Sequence, residues 1–436
     1  MAELTLADLV LPFEGLPTAW IVVFSIAFVV VCGTFLWTAI LFAKGQRHEG
    51  PDPIGTEELT WVFLVPALNE EVTIADSVAR LDALDVERRH IVVIDDGSDD
   101  GTPEVLAGLD VRGVEVLRRD PPHAREGKAA ALNNAYREIG EVIGSTPRER
   151  VIVCVVDADG RLDPAAPGYA AAQFSDPRVG GIQSLVRIYN RDRLLTYMQD
   201  VEFSIYGHLY QAGRSDWGTA GMGGNGQFNR LRALDDVADH EGPWRDRLTE
   251  DQDLGLRLLI AGWRGRQELR AVVSQQGLGD LRRLYRQRTR WSQGNLQAIG
   301  LLGELWRSGL PVVSRLEQSA YLLLPFMQGL IGLTLLAAIA LAAFGNVPFW
   351  GGGPWWQLLF FYALGFGGTI MGCVARGRPE GAWGMFKGYL LAHPYAFYSW
   401  LLWPVLLRSG LRQLTERRDW AKTEREPIGA GTGGEA

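Results

Sequence analysis

The sequence predicts an α/β domain with a parallel sheet, set between membrane-spanning segments. Three observations carry that reading. From about residue 59 to 275, short apolar runs alternate with polar, helix-spaced stretches, the pattern of right-handed βαβ units. Long uncharged apolar stretches flank the region on both sides. Inside it, the run Val151-Ile-Val-Cys-Val-Val156 stops abruptly at two carboxylates on alternate positions, Asp157 and Asp159.

The chain of 436 residues has room for one large domain plus membrane segments, or for two domains. Its 47% hydrophobic content beside 22% charged residues suggests a water-facing part joined to apolar segments rather than one uniform domain. A formal net charge of −8 disfavours nucleic acid as a partner. Cys32, Cys154 and Cys373 sit in apolar runs without CxxC spacing, which fits small buried residues better than disulfides or a zinc site. Several of the 15 tryptophans crowd the ends of apolar runs, as interfacial residues do.

Residues 1–18 carry acids but no Lys or Arg, and the uncharged run 19–43 ends at Lys44 and Arg47. Its 25 residues at 1.5 Å rise cover about 37 Å, enough for a bilayer core of roughly 30 Å. The positive charge on its C-terminal side predicts an N-terminus outside the plasma membrane and a cytoplasmic catalytic domain, placed at 55–280. There the strands are Trp61–Val65, His90–Ile94, Val114–Leu117 and 151–156, with helices at Glu70–Leu84 and Ala129–Glu138. Residues 179–189 continue the sheet. Leu194–Ala212 reads as an aromatic amphipathic helix against the membrane surface. Gly221-Met-Gly-Gly-Asn-Gly226 is too glycine-dense for a packed element, so backbone there approaches something closely. Helices follow from Thr249 to Ala261 and from Leu281 to Leu302, the latter opening an interface segment at 281–316. Residues 319–344 and 354–374 are long enough to span. The stretch 388–407 contains His393, Pro394 and Pro404. It reads as interfacial or re-entrant rather than as a third C-terminal span, because that keeps the arginine-rich tail 408–436 in the cytoplasm.

Each polar motif has an ordinary and a chemical explanation. Side chains at i and i+2 of a strand share a side, so Asp157 and Asp159 project together at the end of a central strand, where open α/β sheets bind ligands. They either cap a turn or hold a divalent metal carrying a phosphorylated substrate. Asp95-Asp96-Gly97-Ser98 is a turn, or a contact to a base or ribose. Pro66-Ala67-Leu-Asn-Glu70-Glu71 is a helix entry or a base-edge loop. Gly127-Lys128 before a helix is a solvated lysine or a phosphate contact. Thr249-Glu250-Asp251 is a capped helix start or a general base for an acceptor hydroxyl. Gln287-Arg-Thr-Arg290-Trp291 offers charge for a departing diphosphate and a flat face for a sugar, or is a surface helix with snorkelling arginines.

In this order and spacing, Asp96, Asp157-Ala-Asp159, Thr249-Glu-Asp251 and Gln287-x-x-Arg290-Trp291 resemble the D, DxD, TED and QxxRW series of membrane-embedded family 2 glycosyltransferases. These include cellulose, hyaluronan, chitin and poly-N-acetylglucosamine synthases. The resemblance covers about residues 60–300. It implies a GT-A fold, a Rossmann-like nucleotide-sugar domain on the cytoplasmic face flanked by transmembrane and interfacial helices. It implies that Ala67, Glu70 and Asp96 contact the nucleoside, that Lys128 lies near the diphosphate, and that Asp157 faces the donor. Asp159 would ligate Mg²⁺ or Mn²⁺. Asp251 resembles the general base with Glu250 beside it, Arg290 would hold the leaving diphosphate, and Gln287 and Trp291 the acceptor. The tail Trp420-Ala-Lys-Thr423-Glu-Arg425 is similar to a gating loop, with Thr423 and Arg425 over the nucleotide. The glycine-dense 221–226 segment and the small number of C-terminal spans depart from the polymerising members.

The expectation is an inverting transferase moving a hexose from a UDP-sugar to a growing β-linked polysaccharide, with an export partner or a second copy of the chain as further partners. The alternatives are a glycolipid-forming enzyme acting on a diacylglycerol or polyprenyl-type acceptor and, from another class, a catalytically dead sensor or export subunit.

Overall fold

The computed structural model describes residues 18–47, 50–109, 111, 113–345 and 355–415. Helix α1 spans Thr18–Gly45, two residues beyond the expected 19–43 at its C-terminal end. The domain follows with β1 (Thr60–Ala67), α2 (Ile74–Asp82), β2 (Arg89–Asp95), β3 (Val114–Arg118), α3 (Lys128–Ile143), β4 (Val151–Val155), β5 (Arg161–Leu162) and β6 (Val179–Ile188). Next come α4 (Leu194–Ile205), β7 (Gln227–Arg230), α5 (Glu250–Ile260), β8 (Arg264–Gln275) and α6 (Leu281–Ala298). The chain then forms α7 (Val312–Phe344), α8 (Trp355–Gly377), α9 (Gly381–Leu402) and α10 (Pro404–Leu414).

One eight-stranded sheet runs in the order β3-β2-β1-β4-β7-β6-β8-β5. Its first four strands are parallel, as the βαβ spacing predicts. Beyond β4 the sheet is mixed: β7 runs antiparallel to both β4 and β6, while β8 lies parallel to β6. The strands β7 and β8 were not legible in the pattern. Strand β8 reads Arg-Gly-Arg-Gln-Glu-Leu-Arg-Ala-Val-Val-Ser-Gln, polar enough to pass for a loop, and its register against β6 is broken between Ser184 and Leu185.

Alternate residues of β1 enter separate cores. Trp61, Phe63 and Val65 pack with Ile74, Val78 and Leu81 of α2, while Val62 and Leu64 pack with Leu132 and Ile139 of α3 and Leu254 of α5. A strand covered on both faces must be apolar throughout, which is why this half of the sheet is the readable half.

Helix α2 begins four residues later than Glu70, with Thr73 at its N-cap, and the Glu70 carbonyl closes the preceding turn by accepting the N–H groups of Thr73 and Ile74. The expected helix 194–212 is α4 followed by a π-helical stretch at Tyr206–Gln211, an irregularity frequent at functional sites.

Among the described residues three apolar segments are long enough to cross a bilayer: α1, α7 and a third running from Leu358 to Leu414. The C-terminal end of α1 is fixed to the domain. Lys44 pairs with Asp216 and lies 4.6 Å over the Trp217 ring, and a Cβ on Gly213 would meet the Leu41 carbonyl at 2.4 Å. Arg378, just past α8, donates to the Gln46 carbonyl at 2.8 Å, so α1 and α8 end at one level. Helix α9 runs back antiparallel along α8, with Gly384 against Gly377 and Gly388 against the Cys373 carbonyl, a close crossing of the kind small residues permit. The stretch expected at 388–407 is thus divided between α9 and α10.

Candidate active site

A cavity of about 910 Å³ opens where the carboxyl ends of β1, β2 and β4 face the membrane helices. Ala67, Glu70, Asp96, Lys128, Asp157, Glu250, Asp251, Gln287, Arg290 and Trp291 all line it. Residues spread over more than two hundred positions thus converge on one space. Thr423 and Arg425 lie outside the described residues.

The donor side is built on turns whose acids are already held. Asp95 accepts from the Ser98 N–H at 2.9 Å and pairs with Arg118, so it fixes the turn. Asp96, next in sequence, faces the cavity. Arg119 and the Arg125 N–H, at 3.0 Å, both bond its Oδ1. Burial nonetheless pushes this carboxyl above its ordinary range. Gly97 takes φ +79°, and a Cβ there would strike Ala124 at 2.7 Å. The facing loop is tied across by Asn69, left-handed at φ 53°, whose N–H donates to Ser98 Oγ at 2.9 Å.

Lys128 opens α3 behind Gly127, whose φ of +106° few other residues tolerate. Its Nζ donates to Asp157 Oδ1 at 2.6 Å and lies 3.7 Å from Glu250. Burial opposes its charge, but the carboxylates of Asp157, Glu250 and Asp251 outweigh that and hold it firmly protonated. The Asp157 N–H donates to Asn225 Oδ1 at 3.1 Å. Asp159 is only 5% exposed and stands apart from the cavity wall, with its Oδ2 accepting the Gln276 N–H at 3.0 Å. The two strand-end acids therefore differ in setting: Asp157 faces the cavity, and Asp159 is tucked beneath β8.

Glu250 and Asp251 open α5. Thr249 stands at the N-cap, but its side chain makes no cap hydrogen bond. It packs instead on α6, where a Cβ on Gly294 would lie 2.4 Å from its Oγ1. The ordinary capping explanation fails here, and the contact brings the Thr249-Glu250-Asp251 motif onto the Gln287-to-Trp291 helix. Burial, and then repulsion from Glu250, push the half-buried Asp251 carboxyl up to about 7, against the pull of Lys128 and the Gln252 N–H.

The glycine-dense segment packs onto this group. Gly224 has φ +80°, and a Cβ there would come within 2.9 Å of Asp251 Oδ2. Asn225 ties the segment to both sides, accepting from Asp157 N–H and donating to Gln275 Oε1 at 3.0 Å.

On α6, Gln287, Arg290 and Trp291 face the cavity. Arg288 orders them: it pairs with Glu202 of α4 at 2.8 Å, donates to Gln287 Oε1 at 2.7 Å and lies 4.3 Å over the Trp291 ring. Glu202 also accepts from the Tyr398 hydroxyl of α9 at 2.8 Å. Glu202, Arg288, Asn225 and Tyr398 went unread in the sequence. The available signal was an acid at Glu202, in the middle of an aromatic helix.

Past Tyr321 and Tyr398 the lining is mostly apolar, with Leu322, Leu324, Pro325, Ile331, Leu402, Trp403 and Leu406 beside the polar side chains of Gln328 and Ser399. The cavity runs from a charged floor into an apolar passage between α7, α9 and α10.

Among the described residues no group of three or more His, Cys, Asp or Glu is arranged to hold a metal ion. Of the two strand-end acids only Asp157 offers its oxygens to the cavity, where they suit an ion that takes one or two carboxylates and completes its shell with substrate phosphates; Asp159 is turned to the Gln276 N–H.

Comparison with known proteins agrees with this geometry. Residues 61–294 match the family described as "Glycosyltransferase like family 2". Beta-monoglucosyldiacylglycerol synthase of Synechocystis sp. is 29% identical over 298 residues, covering 64% of this chain and 59% of that protein. Poly-beta-1,6-N-acetyl-D-glucosamine synthase of Staphylococcus aureus is 29% identical over 256 residues, covering 58% of each. The chain thus spans less than two thirds of the length of these relatives. Among solved structures, the mannosyltransferase PcManGT of Pyrobaculum calidifontis, in complex with GDP-Man and Mn²⁺, shares the fold. Its TM-score is 0.60 at 18% identity, covering 90% of this chain and 99% of that one. With more than half its length matched, the chain belongs to the family 2 glycosyltransferases and carries their GT-A-like domain between apolar helices.

Proposed function

We propose that the protein is an inverting, membrane-bound glycosyltransferase that moves a hexose from a UDP-sugar to a lipid hydroxyl. The observation that carries the acceptor is the cavity itself, which joins the catalytic acids to a passage lined by leucine, isoleucine, proline and tryptophan. Acyl chains are at home on such walls, whereas a polysaccharide would find only Gln328, Ser399 and the tyrosines for its many hydroxyls there. The sequence reading ordered the products the other way, with polymer first. The relative named for poly-β-1,6-N-acetylglucosamine keeps polymer formation as the second reading, and the relative named for monoglucosyldiacylglycerol agrees with the first.

In this mechanism Ala67, Glu70 and Asp96 hold the nucleoside, and Lys128 with Arg290 faces the diphosphate. Asp157 reads the donor. Asp251 takes the proton of the acceptor hydroxyl as its oxygen attacks the anomeric carbon, the bond to the UDP oxygen breaks, and an α-linked donor gives a β-glycoside. A carboxyl raised to about 7 is matched to that task near neutral pH. Gln287 and Trp291 position the acceptor. Asp159 would hold Mg²⁺ or Mn²⁺ together with the diphosphate. The ion would supply charge neutralisation for the leaving group.

For orientation we favour a cytoplasmic domain. Its support is that the basic ends of α1 and α8 meet the domain at one level. The α9–α10 segment begins beside the end of α8 and finishes against α6, with Ser409 bonded to Ser292 at 2.7 Å. Both of its ends thus lie near the domain, which favours a segment that enters the membrane and returns.

The test is UDP release by the full chain in lipid nanodiscs with divalent metal, across UDP-Glc, UDP-Gal, UDP-GlcNAc and UDP-GlcA. One donor should support turnover that needs a lipid hydroxyl. Absence of UDP release with every donor would overturn the reading.

A further inference from the structure

We propose that a second, non-catalytic site on this protein binds the phosphate headgroups of anionic lipids. It is the groove of about 360 Å³ between α6 and α10, lined by Leu281, Arg282, Tyr285, Arg286 and Arg408. Three guanidinium groups converge there. Arg282 and Arg286 stand four apart on one helix face, a like-charge pair that disfavours an isolated helix. Arg408 reaches in from α10, 5.7 Å over the Tyr285 ring. Among the described residues no carboxylate pairs with any of the three. In a chain with a net charge of −8, this is a positive patch without a carboxylate partner among the described residues.

The patch is separate from the catalytic machinery. At 100° per residue, Trp291 lies about 180° around α6 from Arg282, and the arginines of the cavity face have other roles. Arg288 is bound by Glu202, and Arg290 lines the cavity.

The surroundings identify the occupant. Exposed leucines flank the arginines: Leu281 at 41%, Leu407 at 44%, Leu411 at 65% and Leu414 at 83% exposure. Arginines beside exposed leucines on a helix at a membrane boundary face a headgroup layer, where the leucines enter the acyl region and the guanidinium forks grip phosphate. Free phosphate would satisfy the arginines but not the leucines. Because Ser409 bonds to Ser292, an anchored groove also holds the catalytic helix at the bilayer surface.

The test uses the full chain in mild detergent, offered equal phosphatidylglycerol and phosphatidylcholine, with retained lipid counted by native mass spectrometry. Each arginine near an anionic surface contributes enough that the triple variant R282Q/R286Q/R408Q should lose phosphatidylglycerol preference by at least about tenfold. R282K/R286K/R408K should keep part of it. UDP release in phosphatidylcholine alone should be unchanged, which shows the variant is folded. Should the triple variant not fold, R408Q, at an exposed position, should lower the preference by itself. Unchanged preference in the variants would overturn the proposal. So would an equal loss on R137Q/R232Q, which would mark a general charge effect. Full displacement of the lipid by inorganic phosphate at matched ionic strength would assign the groove to a soluble anion instead and overturn it too.

Discussion

The donor wall of the cavity is assembled from the ends of neighbouring parallel strands, and the opposite wall from helices far apart in the chain. At the donor wall each acid is fixed by groups within about thirty residues. Ser98 and Arg118 hold Asp95, Arg119 holds Asp96, and Lys128 holds Asp157. At the acceptor wall the ties are long. Arg288 and Tyr398 meet on Glu202, Thr249 packs on Gly294, and Asn225 joins Asp157 to Gln275. A nucleotide is the same ligand throughout such a fold, so its wall can be a local, preformed unit. The acceptor wall is where a chain of this kind can differ from its relatives, and it depends on the membrane helices to exist.

The largest effect should come where the two walls meet. Asp251→Asn should lower kcat by about 10²- to 10⁴-fold, measured as UDP release at saturating donor, with donor KM little changed. A loss below tenfold would move the base elsewhere. Gly224→Ala should cost about 10²-fold, since its Cβ would enter the space of the Asp251 carboxylate and shift the reacting group. The fold should survive, which circular dichroism and donor KM would report. On the acceptor wall alone, Ile331→Asn should raise the KM for a lipid acceptor by about tenfold, the cost of an unpaired polar group in the passage. Donor KM should stay put, and an equal rise in both would dissolve the division into two walls.

The pH dependence sharpens the same junction. Asp251 must be ionised to act, so kcat/KM should rise with pH through an apparent value near 7. Stability should move in the opposite direction. A folded-state pKa above the unfolded one means that the native state binds the extra proton, so stability falls as pH rises from about 4 to 7. Asp251→Asn should therefore raise the melting temperature more at pH 8 than at pH 5. The smallest effect belongs to Thr249→Ser. It keeps the hydroxyl and removes one methyl packed on Gly294 of α6, so it should cost about 0.8 kcal/mol by thermal unfolding.

The same division explains what could be read from the amino-acid sequence. Strands β1, β2 and β4 are buried on both faces, so they are continuous apolar runs, and the acids that follow them stand out. The DDGS and DxD residues were legible for that reason, the TED and QxxRW residues by their order and spacing behind them, and the cavity brings these candidate residues together apart from Asp159. Strands β7 and β8 carry polar residues into the sheet, where their partners come from loops distant in sequence. Gln275 at the end of β8 accepts from Asn225 of the glycine-dense loop, fifty residues earlier. Such pairings leave no periodicity. Glu202 was passed over because an acid in an amphipathic helix looks like a solvated face, and only the fold turns it towards Arg288 and Tyr398. The glycine-dense segment was legible as a close approach but not as an approach to Asp251, since no local pattern names the group on the other side.

The most direct measurement is the product itself. The full chain in nanodiscs containing diacylglycerol, supplied with its radiolabelled UDP-hexose and divalent metal, should place label in the organic phase as a β-linked single-sugar lipid. Label confined to a water-soluble polymer, formed equally well without any lipid hydroxyl, would contradict the account of the apolar passage as the acceptor's route to Asp251.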